Sequence, residues 1–214
     1  LARDYGFKVT QLNNASRSQI VTTLNEFRNT LGVADNFLLY YAGHGQIDPI
    51  TEEGFWQPVD AEEFDDTNWI GNDRITRTLR GFRSQNILVV ADSCYSGVVL
   101  RGGNTLQPDF GSLSADYVES LIQSKTRIAL TSGGNEPVID SLEGADNSIF
   151  ASAFIDALER NEFVTTSSDI YKFVSQQVVS TLSPEGISQT PEFAGLLRSG
   201  HEGGDFIFKK APKL

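Results

Sequence analysis

Short unbroken apolar runs alternate along this chain with segments whose apolar residues recur every three or four positions. The run Ile87-Leu-Val-Val-Ala91 reads as a strand buried on both faces, as strands of parallel sheets are. Asn36-Phe-Leu-Leu-Tyr-Tyr-Ala42 and Arg127-Ile-Ala-Leu-Thr131 have the same character. Phe7 to Leu12 alternates well enough to predict a further strand, followed by a turn at Asn13-Asn14, and Phe206 to Phe208 predicts a last one. Between them, Ile20, Leu24, Phe27 and Leu31 share one helical face. Ser16 and Gln19 have the spacing of a capping box at its start, and Gly32 closes it. Ile75, Leu79 and Phe82 predict a short helix capped by Asn72 and closed near Gly81. Tyr117, Val118, Leu121 and Ile122 predict one opened by Ser114. Ile149, Phe150, Ala153, Phe154, Ala157 and Leu158 predict one opened by Asn147 or Ser148. Ile170, Phe173, Val174, Val178 and Leu182 predict one opened by Ser168 and stopped by Pro184. Leu1 to Gly6 looks like the end of a helix with Gly6 as its terminator. Gln46 to Asn68 reads as a loop, with a small hairpin arm at Phe55 to Val59. Val98 to Leu113 reads as a mobile loop. Strand–helix–strand order calls for a parallel sheet, so the expectation is one α/β domain of roughly five or six strands.

Composition narrows this picture. The 214 residues are 39% hydrophobic and 21% charged, enough for one substantial core in an ordinary water-facing domain. A net charge of −11 argues against nucleic acid or an anionic membrane as partner, because both reward Lys and Arg. No apolar run approaches the roughly 18 residues of a membrane span, and no signal peptide is visible. The chain has one cysteine, which excludes an internal disulfide and a multi-cysteine zinc site. A free thiol fits a reducing, cytoplasmic setting. Methionine is absent, so at least one element is expected upstream of Leu1.

The candidate chemistry lies where two of the strands stop. Open α/β sheets carry their ligands at the carboxyl ends of strands. The 87–91 run ends in Asp92-Ser-Cys-Tyr-Ser-Gly97, which holds the single cysteine, Cys94. The 36–42 run ends in Gly43-His44-Gly45, which holds one of only two histidines. A lone cysteine is most often a small buried hydrophobe, but Cys94 follows its apolar run instead of sitting inside it. Glycines on both sides of His44 let backbone approach a ligand closely. If the two strands are neighbours their axes lie about 5 Å apart, or about 10 Å with one strand between. An imidazole near a sulfur is the minimum set for a thiol nucleophile with a base. Cys94 would attack a carbonyl carbon while His44 handles the proton. The amides of Gly45 and Cys94 would serve the developing oxyanion. No Asp or Asn is obviously placed to orient His44, so a Cys–His dyad is expected. His201, in the glycine-rich turn 200–205, competes as base but belongs far from both tips.

Leu39-Tyr-Tyr-Ala-Gly-His-Gly45 and Ala91-Asp-Ser-Cys-Tyr-Ser-Gly97 resemble the two catalytic motifs of caspase-like cysteine peptidases. The resemblance is to the metacaspase and paracaspase branch, and bacterial metacaspase- or orthocaspase-like members in particular. The interval from 44 to 94 matches the roughly 50 residues usual in caspases. Thr131 to Val138, Asn147 to Phe150 and Gly200 to Phe206 resemble bacterial members too, so the similarity runs from near Tyr5 to Phe208. It implies the caspase-hemoglobinase fold, a central mostly parallel sheet flanked by helices. It also implies that the family's first strand and most of its first helix are missing from this chain. The whole chain, 1–214, would be one peptidase domain. Residues 1–100 would correspond to the large subunit and 114–214 to the small one, with 101–113 a flexible connection between them.

The resemblance also directs specificity. True caspases carry a glutamine two residues before the cysteine, whereas this chain has Asp92 there. Alternate residues on a strand point the same way, so Asp92 and Cys94 can share a face. A carboxylate beside the nucleophile selects a basic side chain before the cleaved bond, Arg over Lys because Arg presents a planar fork. Glu136 resembles a second acidic pocket residue of paracaspases, with a solvated loop charge as the plainer reading. Arg101, in Leu100-Arg-Gly-Gly103, is a candidate self-cleavage site. Asp60, Glu62, Glu63, Asp65 and Asp66 could bind Ca2+, as some metacaspases do, but such a run is more often simply solvated, and no cofactor is expected. The expected function is a cysteine endopeptidase acting on protein or peptide substrates. The alternative is a catalytically silent caspase-like scaffold. Attachment to a regulatory or sensor domain is implied for either. A dinucleotide-binding module is excluded because no Gly-x-Gly-x-x-Gly follows the first strand.

Overall fold

The computed structural model describes residues 1–94, 119, 121, 123–134 and 147–211. Its centre is β5 (Asn86–Asp92), whose residues Ile87 to Ala91 are all completely buried. On one side β5 pairs in parallel with β1 (Asn36–Ala42), on the other with β6 (Thr126–Thr131). A fourth strand, β8 (Glu192–Gly195), runs antiparallel to β6, giving the order β1-β5-β6-β8. The sheet is therefore mostly parallel, as expected.

Because β5 is covered on both faces, its alternate residues feed two cores. Leu88 and Val90 pack with Phe150, Phe154, Val174 and Val178. These come from α4 (Ile149–Arg160) and α5 (Ser167–Leu182). Ile87, Val89 and Ala91 face the opposite layer, with Leu24, Ile75 and Leu79. These come from α2 (Arg17–Thr30) and α3 (Asn72–Arg80). The two layers fix which residues of β1 and β5 point to which side at the sheet's end, and hence where polar groups meet.

The helix punctuation follows the side chains. Ser16 and Gln19 form the complete capping box of α2. Ser148 caps α4, and Thr166 caps α5, two residues before the Ser168 expected to open it. Gly6 ends α1 (Ala2–Tyr5) in the left-handed conformation, at φ 69°. At α3 the expected cap fails: Gly71 is the N-cap, and Asn72 is already helical.

Three expectations are corrected. Phe7 to Leu12 forms no strand; Val9 is 58% and Leu12 43% exposed, and Phe7 instead lays its ring against Phe206 and Phe208. Alternation in sequence makes a strand only where a neighbour completes the hydrogen-bond ladder. The 46–68 stretch is more than a loop. β2 (His44–Ile47), β3 (Gly54–Gln57) and β4 (Ile70–Gly71) make a small antiparallel sheet. β8 and β7 (Val164–Thr166), the latter paired with β9 (Ile207–Lys209), were not expected either, because neither has a long apolar run. Arg101, Glu136 and the 98–113 loop lie outside the described residues.

Candidate active site

β1 and β5 are direct neighbours, in register from Asn36↔Asn86 to Ala42↔Asp92. The pairing continues one step past the strands, where the amide of Gly43 donates to the carbonyl of Asp92 at 3.3 Å. His44 and Cys94 therefore each stand two residues beyond the last paired position, on adjoining chains. The imidazole residue is exposed and Cys94 half-buried, and the cysteine is in no disulfide.

The turn at His44 is held from below. Tyr41 Oη donates to the His44 carbonyl at 2.8 Å, and the Tyr41 ring stacks on Trp56 at 4.1 Å with 3° between planes. Trp56 on β3 is only 1% exposed and lies opposite Gly45 on β2. A methyl on Gly43 would come within 2.9 Å of the Tyr41 hydroxyl, so the chain folds over that ring only because residue 43 has no side chain. Burial raises the Tyr41 pKa, keeping the phenol protonated as donor. Sequence reading missed Tyr41 and Trp56, which looked like ordinary apolar positions. The signal was the stacking partner, visible only in three dimensions.

The tip at Cys94 is held from the other flank. The Ser93 amide donates to Ser132 Oγ at 3.1 Å, and Ser132 Oγ to the Ser93 carbonyl at 3.3 Å. Ser132 is the first residue after β6, so all three parallel strands contribute to one edge. Gly45 backs directly onto the Cys94 carbonyl.

Asp92 ends β5, and the chain bends at Ser93. Strand alternation thus stops at Asp92 and does not carry through to Cys94; their proximity comes from chain adjacency. Asp92 belongs to the face of Leu88 and Val90, toward α4. There Oδ2 accepts from Ser148 Oγ at 2.5 Å, and Tyr40 Oη approaches it at 3.4 Å. Burial, then the Asp92 charge, pushes the Tyr40 pKa up.

His44, Gly45, Asp92 and Cys94 are thus gathered at one end of the sheet. The arrangement brings a thiol, an imidazole, backbone amides and a carboxylate to one edge of the sheet.

The caspase domain matches residues 1–199. The chain belongs to the caspase-domain family. Among solved structures it is similar to protein GSU0716 from Geobacter sulfurreducens, at 19% identity and a TM-score of 0.54, over 94% of this chain and 82% of that one. It is similar to caspase-1 from Spodoptera frugiperda, at 14% identity and a TM-score of 0.58, over 93% and 77%. It also resembles pro-sf-caspase-1, at 18% identity and a TM-score of 0.54, over 88% and 72%. At these identities the neighbours speak for the fold alone. No curated protein matches. The family is one of cysteine-peptidase hydrolases that act on proteins.

The other histidine of this caspase domain lies elsewhere. His201 Nδ1 accepts the amide of Arg127 at 3.2 Å, at the start of β6 and so at the far end of the sheet from Cys94. In the acidic stretch, Asp60 accepts the amide of Arg17 and Asp65 that of Thr67. Among the described residues no group of three or more His, Cys, Asp or Glu side chains is placed to hold a metal ion. Nor, among them, is any helix long and apolar enough to cross a membrane.

The His201 environment has a pH consequence. Burial foremost, and the Arg127 charge, hold its pKa below the ordinary value, while Asp205 and Glu202 pull the other way. The fold therefore prefers the neutral ring. Its contribution is complete above the unfolded pKa of about 6.5 and is lost as pH falls toward the lower folded value. His201→Asn retains an acceptor for the Arg127 amide but does not titrate. Between pH 7.5 and 5.5, wild type should lose melting temperature relative to His201→Asn; parallel curves would refute this.

Proposed function

We propose that this caspase domain is a cysteine endopeptidase of the metacaspase- or orthocaspase-like type, cleaving after basic residues, Arg before Lys. The observation that carries the reading is the in-register pairing of β1 with β5, which makes the two tips bearing His44 and Cys94 neighbours. His44 takes the proton of the Cys94 thiol, and the sulfur attacks the scissile carbonyl carbon. The carbonyl electrons move onto oxygen, where the amides of Gly45 and Cys94 receive the negative charge. The contact between the Gly45 and Cys94 backbones supports that pairing. The tetrahedral species collapses with loss of the amine, which takes its proton from His44. Water then hydrolyses the thioester, His44 acting as base.

Asp92 meets the basic side chain of the substrate. Its position at the strand end, just before Cys94, supports this. Glu136 as a second pocket carboxylate and Arg101 as a self-cleavage site rest on sequence alone. So do the division into large- and small-subunit-like halves, a cytoplasmic setting and a regulatory partner domain. If Arg101 is cut by the domain itself, Cys94→Ala protein will stay whole on a gel while active protein separates into two pieces.

Peptides ending in Arg, Lys and Asp test the assignment. The expected order of kcat/KM is Arg above Lys, with Asp far below. Asp92→Asn should lower Arg turnover by roughly 10²-fold, as when one partner of a desolvated charge pair is removed. Preferred turnover of the Asp peptide would overturn the pocket. A thiol-reactive peptide carrying Arg should label Cys94 in wild type. Absence of labelling would favour the silent scaffold.

A further inference from the structure

Ser148 caps α4, its Oγ accepting the amide of Ala151 at 2.8 Å. Capping does not require the second bond this hydroxyl makes. It also lies 2.5 Å from Oδ2 of Asp92, 56 positions away in sequence. A hydroxyl has one proton and two acceptor positions. The Ala151 amide can only donate, so it fills an acceptor position, and the proton of Ser148 is directed to the carboxylate. Tyr40 Oη approaches the same oxygen at 3.4 Å, beyond ordinary O–H···O length, so Ser148 is the stronger of the two hydroxyl contacts.

The torsion that turns a carboxylate about its own axis is broad unless something holds it. Ser148 supplies such a hold, and it is itself fixed to the first turn of a twelve-residue helix packed in the core. With Oδ2 tied by Ser148, the plane of the carboxylate is set. A set plane matters unequally to the two basic side chains. A guanidinium is a flat fork that bonds well only when coplanar with its carboxylate. An ammonium is a compact point charge that tolerates any rotation.

We propose that Ser148 is a specificity-determining positioning residue, which orients the Asp92 carboxylate so that the pocket favours guanidinium over ammonium. This rests on the reading of Asp92 as the carboxylate that meets the basic side chain. The residue therefore links two duties, helix cap and aligner of the pocket anion.

Binding of small cations separates these duties without requiring turnover. Agmatine presents a guanidinium and cadaverine an ammonium. Titration calorimetry is run on wild type, Ser148→Gly, Ser148→Thr and Asp92→Asn. Glycine is nearly as good an N-cap as serine, so Ser148→Gly keeps the helix start while removing the hydroxyl. Wild type should bind agmatine more tightly than cadaverine. In Ser148→Gly, agmatine should weaken about tenfold, the scale of one charge-assisted hydrogen bond, and cadaverine less than about twofold. Ser148→Thr, which restores the hydroxyl, should restore the ratio. An agmatine-to-cadaverine ratio unchanged in Ser148→Gly overturns the role of Ser148, and leaves Asp92 as the anion provided Asp92→Asn binds neither cation. Failure of wild type to bind agmatine, or Asp92→Asn binding it as wild type does, overturns the Asp92 reading itself.

Discussion

Replacing Gly45 by alanine should lower kcat/KM on an Arg peptide by at least about 10²-fold, the cost of displacing reacting groups by about an ångström. The methyl would stand 2.1 Å from the carbonyl oxygen of Cys94 and 2.5 Å from Ser93 Oγ. The serine hydroxyl can rotate aside. The carbonyl cannot, because it is main chain next to a doubly tied residue. Ser93 is buried and bonded through both its amide and its carbonyl to Ser132. Ser132 is in turn bonded through its amide to the Ala91 carbonyl at 2.9 Å and through its carbonyl to Gln189 at 2.8 Å. The strain must therefore move His44-Gly45 away from the Cys94 tip, which separates the proposed base from the proposed nucleophile. The site is at the sheet's end and not in either core, so melting should change far less than activity. Turnover within about twofold of wild type would contradict the proposed meeting of the two tips.

Arg127→Met should cost stability of about 3 kcal/mol or more, through lost donors to buried carbonyls. Arg127 is 0% exposed. Its guanidinium donates to the carbonyls of Gln85 at 2.6 Å and Thr126 at 2.8 Å. It also donates to those of Ser84 at 2.5 Å and Phe82 at 3.4 Å. The group thus knits the turn after α3 to the start of β6. Burial pushes its pKa down to about 10, so it is still charged at neutral pH. Methionine fills much of the volume but satisfies none of those carbonyls. For a domain of this size the melting temperature should fall by roughly 10 °C. Activity per folded molecule should be preserved, because Arg127 lies near the far end of the sheet from Cys94. A melting temperature within about 2 °C of wild type would show that water replaces the guanidinium at little cost.

The contrast between these two sites marks what could be read in advance. Ile87 to Ala91 could be recognised because a strand covered on both faces has no polar alternation to confuse it. Cys94 and His44 stood out as candidates because each stands just past such a run, His44 between two glycines and Cys94 among polar residues. Ser148 was legible as a cap, but its bond to Asp92 joins positions far apart in sequence. Arg127 was read as part of a buried strand, but nothing local shows which carbonyls its guanidinium meets. Phe7 to Leu12 had the alternation of a strand without a partner to pair with. The β2–β4 sheet hid in a stretch whose acidic side chains suggested solvent.

By itself the sequence determined the buried strands β1, β5 and β6, the Ser16–Gln19 capping box and the place of the two polar tips, because these follow from local periodicity and from groups a few residues apart. The tertiary structure alone decided that β1 and β5 are direct neighbours, that Tyr41 and Trp56 support the histidine turn, that Ser148 reaches Asp92, and that His201 serves Arg127. Those pairings depend on register and on layer packing, which bring together side chains that no local pattern relates.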